Sequence, residues 1–170
     1  MPENKTLDII KKAIILEHRG KALYQSVTPE TASNGVKDLF NMLAEEEDNH
    51  IRVLNRQYRS ISRGGKFDAH GVEGLSLGGD SVAARVLTEK IVDEISGASY
   101  EAAVISAALE FEKKAVEFYA QHAEKAESEE EKKVFLWLAD WEKDHMSMLA
   151  RIDKELMEKI WFDNSFWPLD

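Results

Sequence analysis

The sequence predicts an all-α protein, a four-helix bundle in which one long crossover joins two helical hairpins. Prolines are few, since the 170 residues contain only Pro2, Pro29 and Pro168, so long uninterrupted helices are permitted. In four segments apolar residues recur at spacings of three and four, the period of an amphipathic helix. A hydrophobic fraction of 44% in a chain of this length is enough for one domain with its own core.

The apolar periodicity and the residues that break it define four long helices. They are predicted at about residues 6–27, 35–61, 99–125 and 128–162. Thr28-Pro29 ends the first helix and Arg63-Gly64-Gly65 ends the second, because proline and glycine disfavour a further helical turn. Ser99 suits the N-cap of the third helix, and Ser128 opens a capping-box pattern before the fourth.

The segment between the second and third helices has a different composition. Residues 62–80 contain six glycines and cannot form a regular helix, whereas residues 82–95 predict a short connecting helix. The expected organisation is a single domain over residues 1–170, with hairpins at about 6–61 and 99–162 and a crossover over 62–98. An up-down-up-down bundle with an inserted loop is the alternative.

Charge and cysteine content exclude several classes of function. The chain has 32 acidic residues against 22 Lys and Arg, a net charge of −10, which disfavours binding to nucleic acid or to an anionic membrane. With no cysteine there is no disulfide, no thiolate metal site and no cysteine nucleophile. No stretch approaches the roughly 20 apolar residues of a membrane span, and no secretory h-region is present, so a cytoplasmic protein is expected.

The two hairpins repeat one polar pattern at a fixed offset of 95 residues. Each half reads Glu-x6-Tyr and then Glu-x-x-His, with 33 positions from the first Glu to the His. The matching pairs are Glu17 and Glu112, Tyr24 and Tyr119, Glu47 and Glu142, and His50 and His145. All of them fall on the apolar side of their helices, so four carboxylates and two imidazoles are predicted to point into the core.

A cluster of four buried carboxylates requires positive charge in its midst, since an unpaired buried carboxylate is very costly. Two divalent cations would supply it, and this ligand set is that of ferritin-like di-iron and di-manganese bundles. Carboxylates with imidazoles suit iron or manganese, and zinc would also bind. Two alternatives remain at this point: a plain helical bundle without metal, and Glu110 as a ligand in place of Glu112.

Other polar or aromatic residues near these motifs are expected to lie outside the site. Glu45, Glu46 and Asp144 are predicted on solvated helix faces, and His18, His70 and His122 on the surface or in the crossover. The aromatic C-terminal residues 161–170 are expected to pack on the end of the bundle or on a second subunit.

The segments that carry these residues resemble the rubrerythrin family of the ferritin-like superfamily. They read AIILEHRGKALY, LFNMLAEEEDNHIRVL, AALEFEKKAVEFY and FLWLADWEKDHMSML. The resemblance implies Glu17 and Glu112 as terminal ligands, Glu47 and Glu142 as bridging ligands, and His50 and His145 as ligands of one metal each. It also implies that the Tyr24 and Tyr119 hydroxyls hold ligand carboxylates in place, the alternative being ordinary aromatic core residues.

By the same resemblance the protein is expected to be a non-haem di-iron oxidoreductase, in which two Fe(II) ions deliver two electrons to hydrogen peroxide or dioxygen in oxidative stress. Iron binding or sequestration of a ferroxidase-like kind is the alternative. Typical rubrerythrins carry a four-cysteine rubredoxin-like module, so this cysteine-free chain is expected to use an external electron donor, such as a rubredoxin-like protein. They also carry a further Glu about one turn past the third-helix ligand, where this chain has Lys113, Lys114, Ala115 and Val116. A homodimer is expected, because the long crossover permits helix exchange.

Overall fold

The computed structural model describes residues 2–72, 82–97 and 99–163, and this part of the chain is helical without any strand. The elements are α1 (Pro2–Val27), α2 (Asn34–Ser62), a 3-10 turn (Ala69–Gly71), α3 (Val82–Glu94), α4 (Tyr100–Glu124) and α5 (Glu129–Phe162). The predicted all-α class is confirmed. Part of the predicted glycine-rich crossover, including Gly74, Gly78 and Gly79, lies outside the described residues, as does most of the C-terminal aromatic tail.

The helix boundaries follow local capping chemistry. Ser33, Ser99 and Ser128 are the N-caps of α2, α4 and α5, and each hydroxyl accepts a hydrogen bond from a backbone N–H three residues later, at 3.1, 3.3 and 3.1 Å. The Ser33 cap was not predicted. α1 begins at Pro2, about four residues before its predicted start, because proline lacks the N–H that the first turn leaves unpaired.

The bundle interior contains two separate apolar cores. The Tyr24 core takes its buried side chains from residues 24–27 of α1, 36–44 of α2, 102–108 of α4 and 148–156 of α5, with Ile91 and Ile95 added by the crossover. The Tyr119 core takes its buried side chains from residues 10–13 of α1, 53–61 of α2, 115–123 of α4 and 134–139 of α5. In every long helix a short polar segment lies between the two cores.

The order in which each helix passes through the two cores gives the topology. α1 and α5 run from the Tyr119 core to the Tyr24 core, whereas α2 and α4 run from the Tyr24 core to the Tyr119 core. The start of α2 also lies beside the start of α4, since the Thr31 hydroxyl donates to Glu101 at 2.8 Å. The second and third long helices are therefore parallel, which requires a crossover as long as the bundle. The up-down-up-down alternative is wrong.

The crossover helix α3 packs against α2 and α5 at the Tyr24 end of the bundle. Glu94 at its C-terminus accepts hydrogen bonds from the Ser33 hydroxyl at 2.6 Å and from the Gly35 N–H at 3.0 Å, which ties α3 to the start of α2. None of the described helices combines the length and the apolarity needed to cross a bilayer. At the end of α5, Trp161 and Phe162 are 70% and 76% exposed.

Gly97 allows the close approach of the crossover to α5, and its replacement tests that contact. A Cβ atom at this position would lie 2.4 Å from the backbone oxygen of Leu156 and 2.7 Å from Ile160 Cγ1. We expect Gly97→Ala to destabilise the fold by about 1–3 kcal/mol, because a backbone oxygen cannot move aside cheaply. At roughly 2–4 °C per kcal/mol for a chain of this size, thermal unfolding followed by circular dichroism detects the change. The exposed substitution Asp93→Ala is the control, and an unchanged melting temperature in Gly97→Ala would contradict the tight contact.

Candidate metal centre

Six ionisable side chains form a polar layer between the two apolar cores. The layer consists of Glu17, Glu47, His50, Glu112, Glu142 and His145, and none of these residues is more than 3% exposed. α1 and α4 contribute one carboxylate each, and α2 and α5 contribute a carboxylate and an imidazole each. Residues three apart share one helix face, so the Glu and the His of a pair point into the same space.

The ligand atoms of the polar layer fall into two overlapping groups, and within each group all of them lie within 4.8 Å of one another. The His50 site consists of Glu17, Glu47, His50 and Glu142. The His145 site consists of Glu47, Glu112, Glu142 and His145. The six residues that the sequence singled out therefore meet in space, and Glu47 and Glu142 belong to both sites.

Both imidazoles turn the Nδ1 atom toward the carboxylates. The His50 Nδ1 atom lies 3.0 Å from Glu17, 2.9 Å from Glu142 and 3.6 Å from Glu47. The His145 Nδ1 atom lies 3.4 Å from Glu112 and 3.2 Å from Glu142. The two rings are stacked with centroids 6.0 Å apart. Nδ1 is therefore the nitrogen that each histidine offers to a metal ion.

The two tyrosines of the repeat bind the two terminal carboxylates in a reciprocal manner. The Tyr24 hydroxyl of α1 donates to Glu112 of α4, and the Tyr119 hydroxyl of α4 donates to Glu17 of α1. Both tyrosines are fully buried. Burial and the neighbouring carboxylates raise the pKa of each phenol well above its usual value, so both remain donors. Each of these hydrogen bonds joins the two hairpins and fixes one carboxylate rotamer.

Without metal, protons offset part of the negative charge of the polar layer. Burial, reinforced by the charge of Glu142, raises the pKa of Glu112 to about 8, and burial with the neighbouring carboxylates also raises the pKa of Glu47. Burial alone would lower the pKa of each histidine, but the nearby carboxylates raise the pKa of both His50 and His145 well above the usual value. Burial likewise opposes ionisation of Glu142, yet the two imidazoles hold its pKa well below normal. Protons on these groups thus supply positive charge that cations would supply in the metal-bound protein.

The donor set fits a pair of hard or borderline divalent cations. Among the described residues, neither carboxylate oxygen of Glu47 has a hydrogen-bond partner, and the same is true of Oε2 of Glu112. Buried oxygens of this kind are normally satisfied, so unpaired ones facing the same space indicate a ligand. Four carboxylates and two imidazoles, with no thiolate, match the preferences of iron or manganese.

Glu46 corrects one prediction made from the sequence. It was expected on a solvated face, but its side chain is only 23% exposed and accepts hydrogen bonds from His145 Nε2 and, at 3.2 Å, from Trp141 Nε1. Burial opposes the charge, yet the hydrogen bond from His145 lowers the Glu46 pKa. Glu45 is exposed as predicted, and Glu110 is exposed and takes no part in either site.

The remaining histidines lie away from the polar layer. His18 and His70 are exposed. His122 was expected on the surface but is half-buried, with its ring 4.5 Å from that of Phe118 and 5.7 Å from that of Phe135. Burial and three nearby lysines lower the His122 pKa, which makes it a neutral packing residue of the bundle end.

Several supporting residues of the centre were not predicted. A Cβ atom at Gly20 would lie 2.8 Å from the Phe111 ring and 3.2 Å from Glu47 Oε1, so a glycine there lets both side chains approach α1. Trp137 and Trp141 each stand edge-on to His50, with ring centroids 5.6 Å away. The 95-residue repeat carried a signal for Trp141, because this position is the counterpart of Glu46.

Comparison with known proteins agrees with the geometry. A model of the rubrerythrin family matches residues 8–153, a span that includes all six residues of the polar layer. The chain belongs to the rubrerythrin family. Searches of curated proteins and of solved structures found no match. Rubrerythrin membership and the buried Glu and His cluster together indicate a site for two metal ions at the centre of the bundle.

The reciprocal tyrosine contacts lead to a test of how the rubrerythrin-type carboxylates are held. We expect Tyr24→Phe and Tyr119→Phe each to weaken binding of a divalent metal by about 10- to 100-fold, the usual effect of removing a group that orients a ligand. The helical content should not change, because both rings stay in the apolar cores. Metal titration by calorimetry measures the effect, with the exposed Tyr100→Phe as control. Wild-type affinity in both buried variants would show that the hydroxyls are dispensable.

The proton positions also predict how stability depends on pH. The pKa values of Glu47, Glu112, His50 and His145 are raised in the folded state, so their contribution is present at low pH and is lost as pH rises through those values. Glu142 has the opposite sign, but its contribution is already complete above the ordinary carboxyl range. We therefore expect metal-free protein to melt at a lower temperature near pH 8 than near pH 6, by about 2–12 °C for a difference of roughly 1–3 kcal/mol.

Metal ions replace these protons, so the gain in melting temperature on adding metal should be larger near pH 8 than near pH 6. Calorimetric melting of chelator-treated and metal-loaded protein at both pH values measures both effects. A metal-free protein that becomes more stable over this range would contradict the proton positions.

Proposed function

We propose that this protein is a di-iron oxidoreductase of the rubrerythrin type that reduces hydrogen peroxide, with dioxygen as a second oxidant, at the polar layer. The observation that carries the proposal is the pair of overlapping four-residue groups that share Glu47 and Glu142. An arrangement of this kind would hold two cations, with Glu47 and Glu142 available to both. It supports a two-electron reaction, because a pair of metal ions can supply two electrons at one site.

The proposed ligand roles follow from which residues the two groups share. Glu47 and Glu142 belong to both groups and would bridge the ions. Glu17 with His50, and Glu112 with His145, would each complete the coordination of one ion. Tyr24 and Tyr119 are not ligands in this proposal, since they bind the carboxylates and face them with a hydroxyl proton.

Iron would supply the redox chemistry, since the two electrons of an Fe(II) pair, together with two protons, would convert one hydrogen peroxide to two waters and leave two Fe(III). The protein restricts the reaction to small oxidants, because every residue of the polar layer is at most 3% exposed. Burial also excludes bulk water and strengthens the electrostatic interactions within the site. Manganese or zinc would fit the same donors, and zinc would give a centre without redox activity.

The proposed cycle needs a reductant, and this sequence contains no cysteine with which to build an internal iron–sulfur relay. An external one-electron donor, such as a rubredoxin-like protein, would return the iron to Fe(II). A reducing compartment supplies both Fe(II) and such donors, which favours the cytoplasm. We also propose a homodimer, for which the long crossover offers a route of helix exchange.

Iron binding without peroxidase turnover is the second candidate. What favours it is the residue pattern after Glu112, where typical rubrerythrins carry a further carboxylate about one turn later. In this chain Lys113 and Lys114 are exposed, and Ala115 is buried in the Tyr119 core. A ferroxidase-like protein would bind iron with the same ligands and oxidise each bound pair only once, without repeated turnover.

Anaerobic Fe(II) loading, followed by separate challenge with peroxide and with oxygen, distinguishes the two candidates. We expect the protein to consume one peroxide for every two Fe(II), as followed by absorbance, and to be oxidised faster by peroxide than by oxygen. When a chemical reductant is supplied, we expect repeated turnover. Rapid oxidation with only a single turnover would support iron handling instead. Wild-type protein that binds no metal would overturn both.

The bridging assignment has its own test. We expect Glu47→Ala and Glu142→Ala each to abolish binding of the metal pair, since each removes a ligand from both sites. Metal content per chain after gel filtration measures the outcome. The exposed Glu45→Ala, two positions from Glu47 on the same helix, is the matched control. Two metals per chain in either bridging variant would refute the assignment.

A further inference from the structure

The internal symmetry of the residues around the polar layer is broken at positions 46 and 141. Adding 95 to the number of each layer residue in the first hairpin gives the same residue type in the second, but the same step takes Glu46 to Trp141. These two residues contact each other across the α2–α5 interface, where the Trp141 indole N–H donates to Glu46 Oε2 at 3.2 Å. The surroundings of the two histidines therefore differ.

His145 has a carboxylate partner behind it. Its Nε2 atom contacts the same Glu46 oxygen that accepts the Trp141 indole N–H, while its Nδ1 atom faces the polar layer. The hydrogen bond requires a proton on Nε2, so Nδ1 is the nitrogen that would release its proton and bind a metal in the polar layer. A carboxylate in this position fixes the ring, sets the tautomer and increases the basicity of the ligand.

His50 lacks such a partner. Its Nε2 atom is buried and makes no hydrogen bond to any described residue. The space that a carboxylate would fill by symmetry holds aromatic rings, since Trp137 and Trp141 stand edge-on to the imidazole at 5.6 Å. No described residue on this side of the ring holds it in one orientation by hydrogen bonding or adds to its basicity.

We propose that Glu46 is a positioning residue for His145 and makes the two metal sites unequal, so that the His145 site binds a divalent ion first and more tightly. The inference rests on the metal pair of the proposed function and adds the order in which that pair assembles. Trp141 contributes by holding the Glu46 carboxylate in place. Because Glu47 and Glu142 belong to both sites, the first ion also organises the bridging carboxylates for the second ion at the His50 site.

Anaerobic titration with Co(II) tests the order of binding, with calorimetry for affinity and visible absorption for coordination. We expect two resolved steps in wild-type protein, with affinities that differ by at least about 10-fold, the lower end of the usual effect of such a partner. The variants His145→Ala and His50→Ala assign the steps. His145→Ala should lose the tighter step, and His50→Ala should keep it; the reverse result would overturn the proposal.

Glu46→Gln tests the role of the carboxylate itself. It keeps the size of the side chain and an acceptor oxygen but removes the charge, so we expect the tighter step alone to weaken by about 10-fold. Glu46→Ala should weaken that step further. Trp141→Phe, which keeps an aromatic ring but removes the indole donor, should weaken the same step by less. The exposed Glu45→Gln is the matched control and should leave both steps unchanged.

Melting temperatures without metal separate positioning from general damage to the fold. A purely structural role for Glu46 would lower the melting temperature and weaken both steps equally, and that result would overturn the proposal. Unchanged steps in Glu46→Gln and Glu46→Ala would overturn it as well. If wild-type protein bound no Co(II), the proposed function would fail with it; two bound ions with equal affinities would refute only the unequal sites.

Discussion

Placing six ionisable side chains in the middle of an apolar bundle imposes the strongest physical constraint on this protein. An isolated buried carboxylate costs several kcal/mol, and four of them in mutual contact repel one another. The cost is offset only where protons, metal ions and hydrogen-bond donors lie close to the carboxylates. The glycine at position 20, the reciprocal tyrosines and the separation of the interior into two apolar cores all serve that requirement.

The constraint also links the relative position of the helices to the chemistry. Each of the two sites takes residues from both hairpins, so a shift of one helix along another by a single turn of about 5.4 Å would separate the ligands. The apolar cores on either side oppose such a shift, because close-packed side chains do not slide without opening cavities. In α2, Leu43 packs in the Tyr24 core and Leu54 packs in the Tyr119 core. This helix is therefore held in position at both ends of its polar segment.

Much of this structure could be predicted from the sequence, and the reason is the conflict between residue type and position. Glu17, Glu47, Glu112 and Glu142 stand out because charged residues rarely occupy the apolar side of a helix, and the internal repeat identifies them twice. The long crossover followed from its length and glycine content. Glu46 was placed wrongly on a solvated face because adjacent residues lie about 100° apart around a helix, and Glu47 was assigned to the core. Helical periodicity alone does not give the rotation of α2 against α5. Whether such a residue faces water or a neighbouring histidine depends on the interhelical contact, which no single helix encodes.

The Glu46–Trp141 contact bears on how a centre of this kind can be built from repeated units. Two identical hairpins could associate about a two-fold axis and assemble the same six layer residues, since the repeat supplies every one of them twice. Identical hairpins, however, must carry the same residue at both ends of a contact between equivalent positions, such as 46 and 141. Two glutamates there would repel, and two tryptophans would leave both imidazoles without an acceptor. One chain with two diverged halves escapes this restriction, so covalent joining of the hairpins permits a kind of asymmetry that a symmetric dimer of hairpins cannot reach.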